Sequence, residues 1–395
     1  MQRYRDLLRL PGMRPLVVLL FFARVPGAAT SLVLALHVAV GLGRGYGEAG
    51  LVGAAVTVGM AVGAPYLGRV VDRHGLRPML LIATVGETAF WLALRFVPYG
   101  LLLPMAFVGG LVALPAMAVG RQAVAAIAPP ELRRTGYSLD SVSVEIAFMI
   151  SPGVAVLLAT RFSTATATTL LGIAVLLGGS ALMVFNPRIS REPAGATRLP
   201  RRTWLTPRLI GVLAVAGGAT FVLSGMDVAI VAAFRETDQL DWTGVAVGVC
   251  ALASAIGGLV HGMVRRSLPQ LTLMTLLSVL TLPVGLLAGG PWWLLTLALA
   301  PACAACAPTI AATGEDVARL VPPAAAGEAA GIQSSAFVLG VALGSPVVGF
   351  VLDHGGPTAG FAAAGAGGLV VAAGAALLAR TPSSRRTTPD PVPQP

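Results

Sequence analysis

Gly68-Arg69-Val70-Val71-Asp72-Arg73-His74-Gly75-Leu76-Arg77-Pro78 is a short charged stretch between two long apolar runs, 49–67 and 79–97. Each run is long enough to cross a hydrocarbon core of about 30 Å as a helix. Three Arg, one Asp and one His within so few residues cost too much to bury in that core. The sequence therefore places 68–78 in a tight loop at the water interface.

Composition extends this reading to the whole chain. Of 395 residues, 56% are hydrophobic and 11% charged, against about 25% charged in a soluble domain. The polar surface needed to dissolve is missing. At about 30 residues per span and loop, the length accommodates twelve spans. Apolar runs place them near 14–40, 49–67, 79–97, 101–128, 134–159, 165–186, 208–234, 243–264, 270–288, 292–319, 328–352 and 358–379. The expected fold class is all-α, a polytopic membrane protein with twelve transmembrane helices.

All 27 basic residues are Arg, and the net charge is +10. They lie between the apolar runs rather than in one patch, which argues for membrane topology and against nucleic acid. One set of loops receives Arg3, Arg5, Arg9 and Arg14, the 68–78 loop, Arg133, Arg134, Arg188, Arg191, Arg198, Arg201, Arg202, Arg265, Arg266, Arg385 and Arg386. The other holds little beyond Arg44, Arg161 and Arg235. The positive-inside rule then puts both termini in the cytoplasm of a multi-pass plasma-membrane protein. The basic N-terminus precedes a run too long for a cleaved signal, so it reads as an uncleaved first span.

The long polar interior stretch, 186–207, falls at the midpoint. A shift of 194 lays Ser151-Pro152 on Ser345-Pro346, Pro129 on Pro323 and Gly68 on Gly262. The later loop keeps Arg265 and Arg266 but lacks the Asp and the second Gly. Two pseudo-symmetric six-helix bundles are expected, 1–187 and 208–380, joined by a cytoplasmic linker at 188–207. The tail 381–395, rich in Pro, Ser, Thr and Arg, is expected to be disordered.

Gly68, Asp72, Arg73, Gly75 and Arg77 carry a family likeness. A Gly, three residues, Asp-Arg, one residue, Gly and then basic residues resembles the loop between helices two and three of the major facilitator superfamily. Leu76 stands where a second basic residue is usual. The resemblance implies a small-solute transporter whose halves rock around a central cavity. It also implies that the loop is a conformational latch: Asp72 engages the start of the eleventh helix, around 327–334, and the basic residues hold the inner gate.

Ionisable groups inside spans cost about 3 kcal/mol or more and are functional candidates. At 1.5 Å per residue, Arg121 in the fourth span and Glu145 in the fifth both lie about 12 Å from the cytoplasmic end, a geometry open to an ion pair. Asp140, about 5 Å in, competes as the partner. Arg24 and Glu87 also reach the middle, and Asp227 stands alone in the outer part of the seventh span. Two readings stay open. Glu145 or Asp140 carries a proton, taken up when desolvated and released when a guanidinium approaches, or a permanent buried pair fixes packing. The family resemblance adds that many members carry an Arg low in helix four. Glu315, Asp316 and Arg319 read as an interfacial cluster. Phe21, Phe22, Glu87, Trp91, Glu145, Phe148, Phe221 and Asp227 are candidate cavity lining.

Gly340 and Gly344 form a G-x-x-x-G that lets another helix approach closely, and Pro346 can bend its helix. They resemble the Gly-Pro signature of drug–proton antiporters, but Ser345 interrupts the pair and only Pro152-Gly153 remains in the fifth span. Packing is the stronger role for these residues. Cys303 and Cys306 have no His or further Cys beside them, so no metal site and no cofactor are expected. Scattered His and the lack of a nucleophile or phosphate-binding motif argue against an enzyme.

The leading expectation is proton-coupled efflux of a small solute by a monomer. Its partners are the solute, protons and the lipid bilayer. Uptake or facilitated diffusion is the alternative, and a non-transporting receptor or scaffold is the alternative of another class.

Overall fold

Backbone N–H and C=O groups in hydrocarbon find no water, so a spanning segment must satisfy them within itself or from its neighbours. A computed structural model describes residues 2–187, 200–264 and 268–380. The described residues are helical along most of their apolar runs. A short helix, α1 (Gln2–Arg9), precedes the first span, α2 (Met13–Leu36), which ends in a π-turn at His37–Gly41. The spans α3 (Tyr46–His74) and α4 (Leu76–Ala93) follow, and then the pair α5 (Tyr99–Leu111) and α6 (Ala116–Ile127) forms one interrupted span. The first group closes with α7 (Pro130–Arg161) and α8 (Thr164–Phe185).

A single turn of helix, α9 (Arg201–Trp204), leads into the second group. This group has α10 (Pro207–Glu236), α11 (Thr243–Met263), α12 (Gln270–Thr281), the interrupted pair α13 (Trp292–Ala304) and α14 (Cys306–Leu320), and α15 (Ala326–Arg380). At 1.5 Å per residue, α15 would run about 80 Å if straight, far beyond a bilayer. It turns back at Gly356, whose φ of 68° and ψ of −174° are closed to L side chains, so it supplies two spans. Twelve spans result.

Four details differ from the sequence expectation. The 68–78 loop is almost entirely helix. α3 runs on to His74, α4 begins at Leu76, and Gly75, at φ 89°, is the whole connection. Interfacial water accepts charged side chains from a helix as readily as from a loop, so charge alone did not end the helix. The run 101–128 breaks at 112–115, because Pro115 has no N–H and biases Leu114 away from helical geometry. The run 292–319 breaks between Ala304 and Cys306, one residue before the start of the first break shifted by 194. The segment before the first span is a helix of its own. Most of the expected linker (188–199), Arg265 and Arg266, and the tail (381–395) lie outside the described residues.

Close packing rests on glycine where backbones touch. A Cβ on Gly340 would overlap the Gly217 carbonyl, and one on Gly344 the Phe221 carbonyl, so both glycines of the G-x-x-x-G are spent on the α10–α15 contact. There Thr220 donates to the Phe337 carbonyl at 2.9 Å, and Ser224 donates to Val341 at 3.1 Å while bonding the Ser345 hydroxyl. Pro346 continues this helix. Pro152 stands within α7, and its side chain lies outside the described residues. We expect Gly340→Val to destabilise the fold by about 1–3 kcal/mol through overpacking, read as a lower melting temperature of the purified protein. An unchanged melting curve would contradict the contact.

Candidate functional site

The side chains that join residues 2–187 to residues 207–380 cap helix ends from across the interface. Gly327 and Glu328 lie in the first turn of α15, where N–H groups have no partner within the helix. Asp72, at the end of α3 and buried, accepts both: Oδ1 from Gly327 at 2.6 Å and Oδ2 from Glu328 at 2.8 Å. The backbones must nearly touch for this. A Cβ on Gly68 would overlap the Gly327 carbonyl, and one on Gly331 the Ala64 carbonyl. One turn on, Ser335 donates to the Ala61 carbonyl at 2.6 Å. Arg69 and Arg201 share one oxygen of Glu328, at 2.8 and 2.5 Å. These pairs are partly exposed, where ion pairs contribute about 0–1 kcal/mol each, so the buried Asp72 cap is the stronger tie.

Arg73 and Arg77 are exposed, and the cation that reaches the other group from this stretch is Arg69. The family pattern did not single out Arg69. Its place one turn before Asp72, on the same helix face, would have done so had the stretch been read as helix.

The C-terminal end of α11 is capped in the complementary sense. Tyr4 donates to the Leu259 carbonyl at 2.9 Å, Thr135 to Gly262 at 2.7 Å and Arg3 to Val264 at 3.3 Å. Burial pushes the Tyr4 phenol up to about 12, so it remains a neutral donor at physiological pH. Arg134 and Glu315 add an ion pair at 3.0 Å, and Arg319 meets the same carboxylate at 2.7 Å. The pairing of α7 with α14 thus draws Glu315 and Arg319 into the interface, while Asp316 pairs more loosely with Arg319 at 3.7 Å.

Deeper in, the structure pairs the buried charges differently from the depth count. Arg24 of α2 holds Asp140 of α7 at 2.5 Å, with both side chains about 95% buried. Removing one partner of such a pair costs about 3–5 kcal/mol. Arg121 does not pair with Glu145. Its guanidinium lies 4.6 Å above the Phe337 ring of α15 and makes a long 3.5 Å bond to the Ile310 carbonyl of α14. Equal depth did not fix the side each residue faces. Arg121 turns toward the second group, and Glu145 accepts a hydrogen bond from Ser254 of α11 at 3.0 Å.

Both helix breaks are capped by these buried groups. Glu87 of α4 accepts the Leu114 N–H at 2.7 Å, in the gap between α5 and α6. Ser254 accepts the Ala307 N–H at 3.2 Å, beside the gap between α13 and α14, while donating to Glu145. Interrupted spans at matching positions of two repeats are the geometry in which transporters build midplane sites. Asp227 of α10 is exposed, and Glu145 lies within its electrostatic reach. Beyond Glu145, Phe148, Met149 and Ile150 are 55%, 47% and 43% exposed. Three consecutive residues point about 100° apart on a helix, so α7 lacks neighbours on more than one face there. The hydrogen bonds and ion pairs named above between the two groups lie at Glu145 or on its Arg-rich side.

Of the other candidate lining residues, Trp91 is buried, Phe21 and Phe221 are half-buried, and Phe22 is exposed. Cys250, Cys303 and Cys306 are free and buried among apolar neighbours.

The family model described as Major Facilitator Superfamily matches residues 16–313. The fold is similar to that of the human organic anion transporter MFSD10, with a TM-score of 0.72 at 18% identity over 92% of this chain and 99% of that one. A bacterial homologue of the iron transporter ferroportin, in an outward-facing state with soaked iron, gives 0.74 at 15% identity over 92% and 98%. The proton:xylose symporter XylE gives 0.67 at 15% identity over 91% and 93%. At these identities the likeness is one of fold. No curated protein matches the sequence.

Asp72→Asn keeps the size but removes the charge from the start of α15, worth about 0.3–1 kcal/mol and up to about 2 when partly buried. Spin labels at the exposed positions Arg77 and Arg208 should then show a longer distance component in their pulsed-resonance distribution. Identical distributions in variant and wild type would contradict the cap as a tie between the two groups.

Proposed function

The chain belongs to the major facilitator superfamily, and on that premise we propose that this membrane transporter expels a small solute in exchange for protons. The observation that carries the alternating-access reading is the one-sided closure. Ties run from the Arg-rich end as far as Glu145–Ser254 and Ala61–Ser335, and beyond Glu145 the consecutive residues Phe148, Met149 and Ile150 are exposed. The two groups act as half-bundles, 1–187 and 208–380, joined by a linker at 188–207. The Arg-rich end is cytoplasmic, with both termini there, in the plasma membrane. The conformation is then open to the outside. The protein works as a monomer, since each half finds its partner within the chain.

Protons exchange at the central carboxylates. Glu145 comes from the first half and Asp227 from the second, each within the other's electrostatic reach, and Glu145 stands at the limit of the closed end. A carboxylate there takes up a proton as it is desolvated and gives it up on exposure or beside a cation. Arg121 occupies the closed end, against Phe337. When that end opens, this contact parts and the guanidinium is released toward the first-half acids, so its position reports the state of the gate. Glu315, Asp316 and Arg319 serve the interface rather than the solute.

Reconstituted proteoliposomes screened with organic anions, organic cations, sugars and divalent metal ions test the transport reading directly. At least one class should move in the presence of the protein and respond to an imposed pH gradient. Glu145→Gln should abolish that response, at least tenfold in initial rate, while sparing solute exchange at equal pH. Undiminished pH-driven movement in the variant would remove Glu145 from the proton cycle.

A further inference from the structure

Leu114 has a backbone N–H that a continuous helix would have bonded to Gly110. Pro115 breaks the helix, and the donor goes to Glu87 Oε2 instead. Glu87 is 6% exposed. Beside it lies a cavity of about 20 Å³, lined by Gly27, Thr30, Met60, Glu87, Trp91 and Leu114 among others. That volume admits one water, and a buried water needs two to four polar partners. Glu87, the Thr30 hydroxyl and the Trp91 indole supply them. Trp91 is 1% exposed, and its Nε1 lies near the Glu87 carboxyl without making a hydrogen bond of normal geometry to it. An indole donor beside a buried carboxylate, on a space the size of a water, is a site built for one water that accepts from the Trp91 indole and donates to Glu87 and to the Thr30 oxygen, whose own proton goes to the Pro26 carbonyl.

No other charge competes for Glu87. α5 and α8, which flank it, carry no ionisable residue other than Tyr99, at the far start of α5. On α3, the acidic and basic groups (Glu48, Arg69, Asp72, Arg73 and His74) stand near the two ends. On α2, Arg14 binds the Leu8 carbonyl at the basic end, and Arg24 is committed to Asp140. On α4 itself, Arg77 is at the opening turn, and Arg95 follows the last one and stacks on Phe96. α6 carries Arg121, seven residues or about 10 Å beyond Leu114, turned toward Phe337.

We propose that Glu87, with one bound water held by Trp91 and Thr30, is a second proton site, and that its proton controls the hinge between α5 and α6. The ionised carboxylate grips the Leu114 N–H through a charge-assisted bond, about twice as strong as its neutral counterpart. Protonation weakens that grip. α6 hangs from this hinge; the Ala116 carbonyl, beside the hinge, lies near Arg24, and toward the closed end Arg121 rests against Phe337 and the Ile310 carbonyl. A looser hinge lets α6 swing and draws Arg121 off the second half. Proton uptake at Glu87 therefore favours opening of the Arg-rich end. The consequence at the gate rests on the alternating-access reading; the proton site itself does not.

The test uses the purified full-length protein in lipid nanodiscs and needs no solute. Infrared difference spectra between acidic and alkaline buffer should contain a protonated-carboxyl band that Glu87→Gln removes and Glu87→Asp retains at a shifted position. Labels at Arg77 and Arg208 should give a distance distribution that lengthens on acidification in the wild type. Glu87→Gln should match the acidic wild-type distribution at every pH, because Gln keeps an acceptor for Leu114 but no charge. An unchanged carboxyl band in Glu87→Gln overturns the proton site, and a wild-type pH response of the distances in that variant overturns its control of the hinge. A protein that passes both tests yet moves no solute in proteoliposomes would sink the transport reading and leave the proton site standing.

Discussion

Everything in this molecule depends on one constraint: a peptide group withdrawn from water must still find a partner. A straight helix meets it internally except at its ends, where four N–H and four C=O groups are left over. Here those leftover groups have been used as sockets. Asp72 occupies the start of α15, Tyr4 and Thr135 the end of α11, and Glu87 and Ser254 the gaps inside two broken spans. Three of these five residues reach across from the first group of spans to the second. The interface is thus stitched by backbone groups that would be unsatisfied without it.

The physics of the closed end follows from that arrangement. An anionic cap at a helix N-terminus and hydroxyl donors at a helix C-terminus are each favourable to the helix dipole they meet, so the two ties reinforce rather than oppose one another. Each is modest in energy beside a fully buried ion pair. The Arg24–Asp140 pair is of another kind. It is fully buried within the first group, and leaving either ion alone would cost several kcal/mol. Such a pair fixes α2 against α7 within the first group.

Placing acids at the breaks, rather than in unbroken helix, also has a reason. A carboxylate near midplane needs a donor, and an intact helix offers none because its N–H groups are taken. A Pro-induced gap frees one for Glu87, and the second gap frees one for Ser254, which in turn serves Glu145. The breaks are therefore the places where charge can be carried deep in the bilayer with its hydrogen bonds satisfied.

Much of this was written in the chain itself. Long apolar runs, sparse charge and Arg confined to alternate loops determine an all-helical bundle of twelve spans, because hydrocarbon thickness and the cost of burying charge leave few other solutions. The Gly, Asp and Arg pattern at 68–78 determined the family, and Gly340 and Gly344 a close helix contact. What only the tertiary structure decided was partnership. Counting residues along α6 and α7 gave equal depth to Arg121 and Glu145, but depth says nothing of azimuth, and the helices' rotation sent Arg121 to Phe337 and gave Asp140 to Arg24. Tyr4, Thr135 and Ser254 carried no signal, since a hydroxyl becomes informative only when a helix end from elsewhere in the chain is brought within 3 Å or so of it. Sequence sets which groups cannot be left unsatisfied; packing chooses which neighbour satisfies them.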